Sequence, residues 1–228
     1  MIEAISFDCY GTLIDWEKGI LGALKPLLKS EGIKLEDKDM LKLYAELEAK
    51  AESGEYMPYR DVLRAVVREM GKRLGFTPSL GEQDCIAESM RKWKPFPDTK
   101  EALRELKKNF RLAVISNVDE DLIAVTLKKL DVDFDWVITA ERTRSYKPSL
   151  NNFRLALSAM GLPPDRVLHA AHSIYHDIIP AKRLEMNTAF IRRGSKENPG
   201  ADMNAEDLIG LARILKVGDS HLSHRKKS

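Results

Sequence analysis

A short apolar run from Ala4 to Phe7 ends on Asp8, and the spacing of hydrophobic positions then changes from strand to helix. Ile20, Leu21, Leu24, Leu27 and Leu28 recur at helical intervals. So do Met40, Leu41, Tyr44 and Leu47, behind an Asp37 placed to cap them. Val62, Leu63, Val66, Val67, Met70 and Leu74 mark a third helix, and Ser79 with Glu82 has capping-box spacing for a fourth through Ile86 and Met90. No strand pattern interrupts residues 16–92.

From Pro95 onward strands and helices alternate. Asp98 with Glu101 stands before a helix carrying Ala102, Leu103 and Leu106. Leu112–Ile115, Trp136–Thr139, Val167–Ala170 and Thr188–Ile191 read as strands. Leu122–Leu130, Asn151–Met160, a stretch from about Asp177 to Leu184, and Ala205–Leu215 read as helices. Such alternation predicts βαβ units and a mostly parallel, Rossmann-like α/β sheet. The expected organisation is an α/β core of residues 1–15 and 93–216, an all-helical cap domain at 16–92, and a disordered basic tail at 217–228. A helical insertion whose two junctions flank Asp8 is placed to act as a lid.

Composition narrows the function classes. The 228 residues are 43% hydrophobic, enough for a sizeable core, and the net charge of +2 is too balanced to suggest nucleic acid or a membrane surface as partner. No apolar run approaches the ~20 residues of a membrane span. Two cysteines form no disulfide framework, and the chain enters its first strand without a signal-peptide pattern, so a cytoplasmic location is expected. Cys9 could serve as a thiol nucleophile, but no His–Cys arrangement supports it, and packing is the better reading.

The chemistry gathers at the ends of the predicted strands, where open α/β sheets bind ligands. Asp8 ends the first and is followed by the Gly11-Thr12 turn, making its carboxylate a candidate nucleophile. Ser116-Asn117 ends the second and offers hydrogen bonds to an anionic group. Lys147 follows the third; Pro148 keeps it out of helical geometry and Ser149 can cap the next helix. A lysine there balances the charge of Asp8. Asp177 follows the fourth and can pair with Lys147, orient a water or bind a cation. His169, His172 and His176 invite a zinc reading, but their spacing matches no strong motif.

Asp8-x-Tyr10-Gly11-Thr12-Leu13-Ile14-Asp15, Ser116-Asn117, Lys147-Pro148 and Asp177, in this order, resemble the four motifs of the haloacid dehalogenase (HAD) superfamily over about residues 1–215. The helical insertion resembles that superfamily's small cap. Two features separate the chain from the superfamily's phosphatases. Tyr10 stands where they carry an Asp general acid, and His172 is the nearest residue to a carboxylate that helps hold Mg²⁺. Asp-x-Tyr-Gly-Thr is the pattern of 2-haloacid dehalogenases, whose halide leaves without a proton.

The resemblance implies that Asp8 displaces a leaving group at the α-carbon of a small 2-substituted carboxylic acid, forming an aspartyl ester that water hydrolyses. Asp8, Thr12, Lys147 and Asp177 would be catalytic; Tyr10, Trp16, Ser116, Asn117 and His172 would contact substrate. No cofactor is implied. The alternative is a phosphatase with Mg²⁺ at Asp8 and Asp177. Two departures remain: no arginine stands near Tyr44–Glu48, where those dehalogenases have one, and Ile174 replaces an Asn of their fourth motif. The chain is also similar to azetidine-2-carboxylate hydrolases, which open a strained ring whose nitrogen is already protonated. Glu46 or Glu48 could recognise such a cation or lie on a solvated face; Trp16, Tyr56 and Tyr59 could line the pocket or belong to the core. A homodimer through the cap is a plausible assembly.

Overall fold

The structure, a computed structural model, describes residues 1–223. Strand β1 (Ala4–Phe7) is fully buried and is followed by helices only. These are α1 (Trp16–Ser30), α2 (Asp37–Glu52), α3 (Tyr59–Leu74), and the short α4 (Leu80–Gln83) and α5 (Cys85–Ser89). Helix α6 (Thr99–Lys107) leads to β2 (Arg111–Ser116), α7 (Glu120–Leu127), β3 (Trp136–Thr139), α8 (Ala140–Thr143) and α9 (Leu150–Met160). The chain ends with β4 (Val167–Ala171), a π turn at Ile174–Ile178, α10 (Ile179–Arg183), β5 (Asn187–Ile191), β6 (Met203–Ala205) and α11 (Leu208–Ser223).

The six strands form one parallel sheet in the order β3-β2-β1-β4-β5-β6. The expected α/β core with a helical insertion is therefore what the chain builds. Helices cover both faces, which is why β1 and β4 are buried along their whole length and carry one polar side chain each, Ser6 and His169. Strand β1 is central, with Phe7 beside Val114 of β2 on one side and Ala170 of β4 on the other. The winding direction reverses between those two neighbours. The carboxyl end of β1 is thus the topological switch point, where such sheets open a crevice.

The helices of the insertion bury the stripes their spacing predicts: Ile20, Leu24, Leu27 and Leu28 on α1, Met40, Tyr44 and Leu47 on α2, Val62 to Met70 on α3. They are fastened to the core by polar contacts. The Asp119 carboxylate, in the loop after β2, accepts from the backbone N–H groups of Tyr59 and Arg60 at 2.8 and 2.9 Å, filling the N-terminus of α3 from across the chain. Tyr146 Oη donates to the Met57 carbonyl at 2.7 Å.

Several local expectations are corrected. Asp37 does not cap α2; its carboxylate pairs with Lys25 on α1. Asp98 makes no side-chain cap on α6, because it accepts from Arg193 at 2.6 Å and from the Leu208 N–H at 2.8 Å, at the start of α11. The fourth predicted helix breaks at Asp84, which Arg64 Nε holds at 2.7 Å. Ala205 pairs with Ile191 in a sixth strand, so the last helix begins later than its periodicity implies. It also continues through Ser223, into the segment expected to be disordered; residues 224–228 of that tail lie outside the described residues.

Gly19 shows how closely α1 packs. A Cβ built there would lie 2.4 Å from ring carbons of Trp93, which itself borders the crevice. We expect Gly19→Ala to lower stability by about 1–3 kcal/mol in urea melts, because the ring must shift to admit the methyl group. Unchanged stability would mean that Trp93 yields freely.

Candidate active site

The turn after β1 is tight. Gly11 has φ +99°, a conformation that disfavours side chains, and the N–H groups of Leu13 and Ile14 both reach back to the Cys9 carbonyl. This places Thr12 beside the residue four before it: Thr12 Oγ1 donates to Asp8 Oδ2 at 2.8 Å. The same hydroxyl accepts from the His172 N–H at 2.9 Å, tying the turn to the end of β4.

Lys147 is only 3% exposed and its ammonium is fully used. Nζ donates to Asp8 Oδ1 at 2.8 Å, Asp177 Oδ1 at 2.6 Å and the Ile115 carbonyl at 3.0 Å. Burial works against its charge, but Asp177 and Asp8 outweigh that and hold the ammonium above its ordinary range. Asn117 fixes the lysine's backbone, accepting from the Lys147 N–H at 2.7 Å and donating to its carbonyl at 3.2 Å. Ser149 accepts from the Asn151 N–H at the start of α9, as its position predicted.

Asp177, 1% exposed, is shared between Lys147 and His169, whose Nε2 lies 3.0 Å from Oδ1. Burial would raise its carboxyl; Lys147 and His169 prevail and hold it down at about 2. The other ring nitrogen of His169 meets Ser6 Oγ at 2.9 Å. A continuous buried chain thus runs Ser6–His169–Asp177–Lys147–Asp8–Thr12. In the sequence His169 reads only as a candidate zinc ligand. Its real signal was a single imidazole inside an otherwise apolar strand, which requires a buried partner.

A cavity of about 600 Å³ opens over Asp8, Lys147 and Asp177. Tyr10, Trp16, Asn117 and His172 reach its wall, as does Tyr59; Tyr56 does not, and stacks against Tyr146 with Arg144 over its face. Tyr10 turns its hydroxyl away to Thr126, 2.9 Å off, leaving the ring beside Trp93. Ser116, also expected to contact substrate, does not line the cavity: it lies buried at the end of β2, its Oγ without a hydrogen-bond partner among the described residues. Cys9 is buried, and burial together with Asp8 pushes its thiol well up, which fits packing rather than attack.

The two cap acids divide. Glu46 is exposed and pairs with Arg73 at 2.8 Å. Glu48 faces the cavity, and its Oε1 accepts from Tyr44 and Tyr59 hydroxyls at 2.6 Å each. Glu52, one turn on, also lines the cavity and accepts from Asn117 at 3.3 Å. Glu52 was missed, though Tyr44, Glu48 and Glu52 at four-residue spacing share the helix face that the apolar pattern assigns to the interior.

The donor set does not fit a metal ion well. His169 faces Ser6 and Asp177, His172 Nδ1 meets the Ile191 carbonyl at 3.0 Å, and His176 Nδ1 meets Ser173 Oγ at 3.1 Å. Among the described residues no three His, Cys, Asp or Glu side chains cluster as ligands. For Mg²⁺, which wants an octahedron of oxygens, the space between Asp8 and Asp177 is bridged by the Lys147 ammonium.

A family model of haloacid dehalogenase-like hydrolases matches residues 2–184. The chain belongs to that family. Among the similar haloacid dehalogenase-like hydrolases is (S)-2-haloacid dehalogenase of Xanthobacter autotrophicus, 26% identical over 199 residues, covering 86% of this chain and 78% of that protein. Glyceraldehyde 3-phosphate phosphatase of Methanothermobacter thermautotrophicus is 28% identical over 235 residues, covering 94% of this chain and all of the phosphatase (100%). The solved structure of L-2-haloacid dehalogenase from X. autotrophicus superposes with a TM-score of 0.83 at 22% identity, over 95% of this chain and 99% of that one. That likeness carries the fold. Within the family, dehalogenases and phosphatases both stand near this chain, so the reaction must be argued from the site.

Proposed function

We propose that this haloacid dehalogenase-like hydrolase acts at carbon, without a metal, through an ester of Asp8. The observation that carries the reading is the orientation of Tyr10. Two residues beyond the nucleophile it presents a ring, and its hydroxyl is committed to Thr126. No acid at that position faces a leaving oxygen above Asp8. A halide, or an amine that arrives protonated, departs without one.

One Asp8 oxygen attacks the substrate carbon, the new C–O bond forms, and the bond to the leaving group breaks with its electron pair going to that group. The other oxygen becomes the ester carbonyl and keeps its donor, Lys147 or Thr12. Water then attacks this carbonyl, the developing oxyanion is stabilised by the same donor, and collapse breaks the bond to the substrate oxygen, one water proton passing to that oxygen to give the alcohol and the other to solvent as the carboxylate is restored. Asp177 and Asn117 hold Lys147 in place for both steps. Residues 16–92 act as the cap over the core of residues 1–15 and 93–216, closing the cavity to bulk water.

The test is halide release from L-2-chloropropionate by protein stripped with a chelator, with the Asp8-containing peptide weighed by mass spectrometry during turnover. We expect turnover without metal and an acyl adduct on that peptide. Hydrolysis of phosphate esters only, and only on adding Mg²⁺, would overturn the reading.

A further inference from the structure

Glu52 is a half-buried carboxyl that the displacement chemistry leaves without a task. It ends α2, lines the cavity, and its Oε2 accepts from Asn117 Nδ2 at 3.3 Å. Asn117 gives the rest of its amide to Lys147. The same nitrogen donates to the Lys147 carbonyl at 3.2 Å, and Oδ1 accepts from the Lys147 N–H at 2.7 Å. Both hydrogens of the amide nitrogen are thereby used. Lys147 in turn sets its ammonium 2.8 Å from Asp8. A line of contacts, Glu52–Asn117–Lys147–Asp8, thus runs from the cap to the nucleophile. Among the described residues, Glu52 makes the one side-chain hydrogen bond from residues 16–92 to Asn117.

A second cap contact falls on the residue before Lys147. Tyr146 Oη donates to the Met57 carbonyl at 2.7 Å, and its ring lies against Tyr56 and Tyr59, with centroids 5.5 and 6.4 Å away. The cap therefore grips the Tyr146-Lys147 segment twice, at the side chain of one residue and, through Asn117, at the backbone of the next. Other cap contacts, such as Asp119 on the N-terminus of α3 and Lys129 on the Met90 carbonyl, meet no residue of the buried chain from Ser6 to Thr12. Glu52 makes its contact without drawing on the ammonium. Burial and the neighbouring Glu48 push its carboxyl up to about 9, against the pull of Lys147 and Asn117, so near neutral pH it accepts from Asn117 as a neutral acid. A full negative charge there would compete with Asp8 for Lys147.

We propose that Glu52 is a positioning residue: by accepting from Asn117 across the boundary between cap and core, it fixes that amide and, through it, the backbone from which Lys147 reaches Asp8. This rests on the displacement reading for the task of Lys147, and adds that the seating of the cap sets the lysine. Without the acceptor, one N–H of Asn117 is left unpaired in the cavity wall, and the amide is free to turn away from Lys147. The lysine then holds Asp8 from a looser backbone, and a small misplacement of a charge-balancing group is expensive in rate.

Three substitutions in the full chain test the proposal. Glu52→Ala and Glu52→Leu both remove the acceptor, the second keeping most of the side-chain volume, so either serves if the other does not fold. Glu52→Gln keeps an acceptor oxygen. With L-2-chloropropionate, kcat should fall at least about tenfold in Glu52→Ala and Glu52→Leu while KM stays within about threefold, and Glu52→Gln should hold kcat within about threefold of native. Hydrogen exchange of the Lys147 N–H, read without substrate, should quicken at least about fivefold in the first two and stay native in the third. An unchanged kcat, a loss confined to KM, unchanged exchange at Lys147, or a Glu52→Gln protein as impaired as Glu52→Ala overturns the proposal. Because exchange is independent of turnover, the two readings fail separately. An Asp8 adduct in the native protein, with kcat and exchange indifferent to Glu52, sinks this proposal alone. Quickened exchange with no adduct even in the native protein sinks the displacement reading alone.

Discussion

Replacing Asp8 by Asn is expected to abolish turnover, by at least about 10⁴-fold, while the protein stays folded. The size of the effect follows from the role. An amide has no lone pair on oxygen of useful nucleophilicity, and no other carboxylate in the cavity stands in its place. Asp177 is tied to Lys147 and His169, and Glu48 to two tyrosines. The fold is spared because Asn is isosteric. Its carbonyl can accept from Lys147 while its NH₂ donates to Thr12 Oγ1, reversing one hydrogen bond and losing none. Oxygen-labelled water sharpens the result. In a single turnover of the native enzyme the label should enter Asp8, because water attacks the ester carbonyl and the alcohol carries off an enzyme oxygen. Label appearing first in the product would mean that water attacks the substrate directly and that Asp8 is only a base.

How much of this was readable beforehand depended on whether a residue's partner was near it in sequence. Strands β1, β2 and β4 announced themselves because burial on both faces demands largely apolar runs, and Asp8 and Ser116 follow from where the first two end. The Ser79–Glu82 capping box was legible because both its partners lie within one turn. Asp98 was misassigned for the opposite reason. It stands in position for α6, but Arg193 and Leu208, far along the chain, compete for its oxygens and win. Strand β6 has three residues, too few for a period, and forms because the edge beside it is held by Asp202, which accepts from Thr188 N–H and Oγ1. For Glu48 the sequence leaves open a cation site or a solvated face, although its spacing from Tyr44 puts it inside. A carboxylate at an interior position is improbable until its donors are seen, and here the second donor, Tyr59, comes from another helix.

The largest stability effect is expected from Lys147→Met, and it should depend on pH in a definite direction. The substitution leaves Asp8 and Asp177 buried without the cation that lies 2.8 and 2.6 Å from them, an uncompensated burial of charge that costs about 3–5 kcal/mol at neutral pH. A domain of ordinary stability survives such a loss. Activity should vanish in the folded variant, since no positive charge then balances Asp8 or the ester oxyanion. In the native protein the Asp177 carboxyl is held down at about 2, below its unfolded value, so its contribution is present above pH ~4 and is lost as pH falls toward 2. Lys147 is held up, so its contribution is complete at neutral pH and fades only as pH climbs beyond ~10.5. In the variant the sign for Asp177 reverses. Burial without the ammonium raises its carboxyl, and acid then relieves the strain by protonating it. The gap between native and variant in urea melts should therefore be widest at pH ~7 and narrow steadily toward pH ~4. A gap of constant size would show that Lys147 contributes packing alone, and the buried chain from Ser6 to Thr12 would lose its central member.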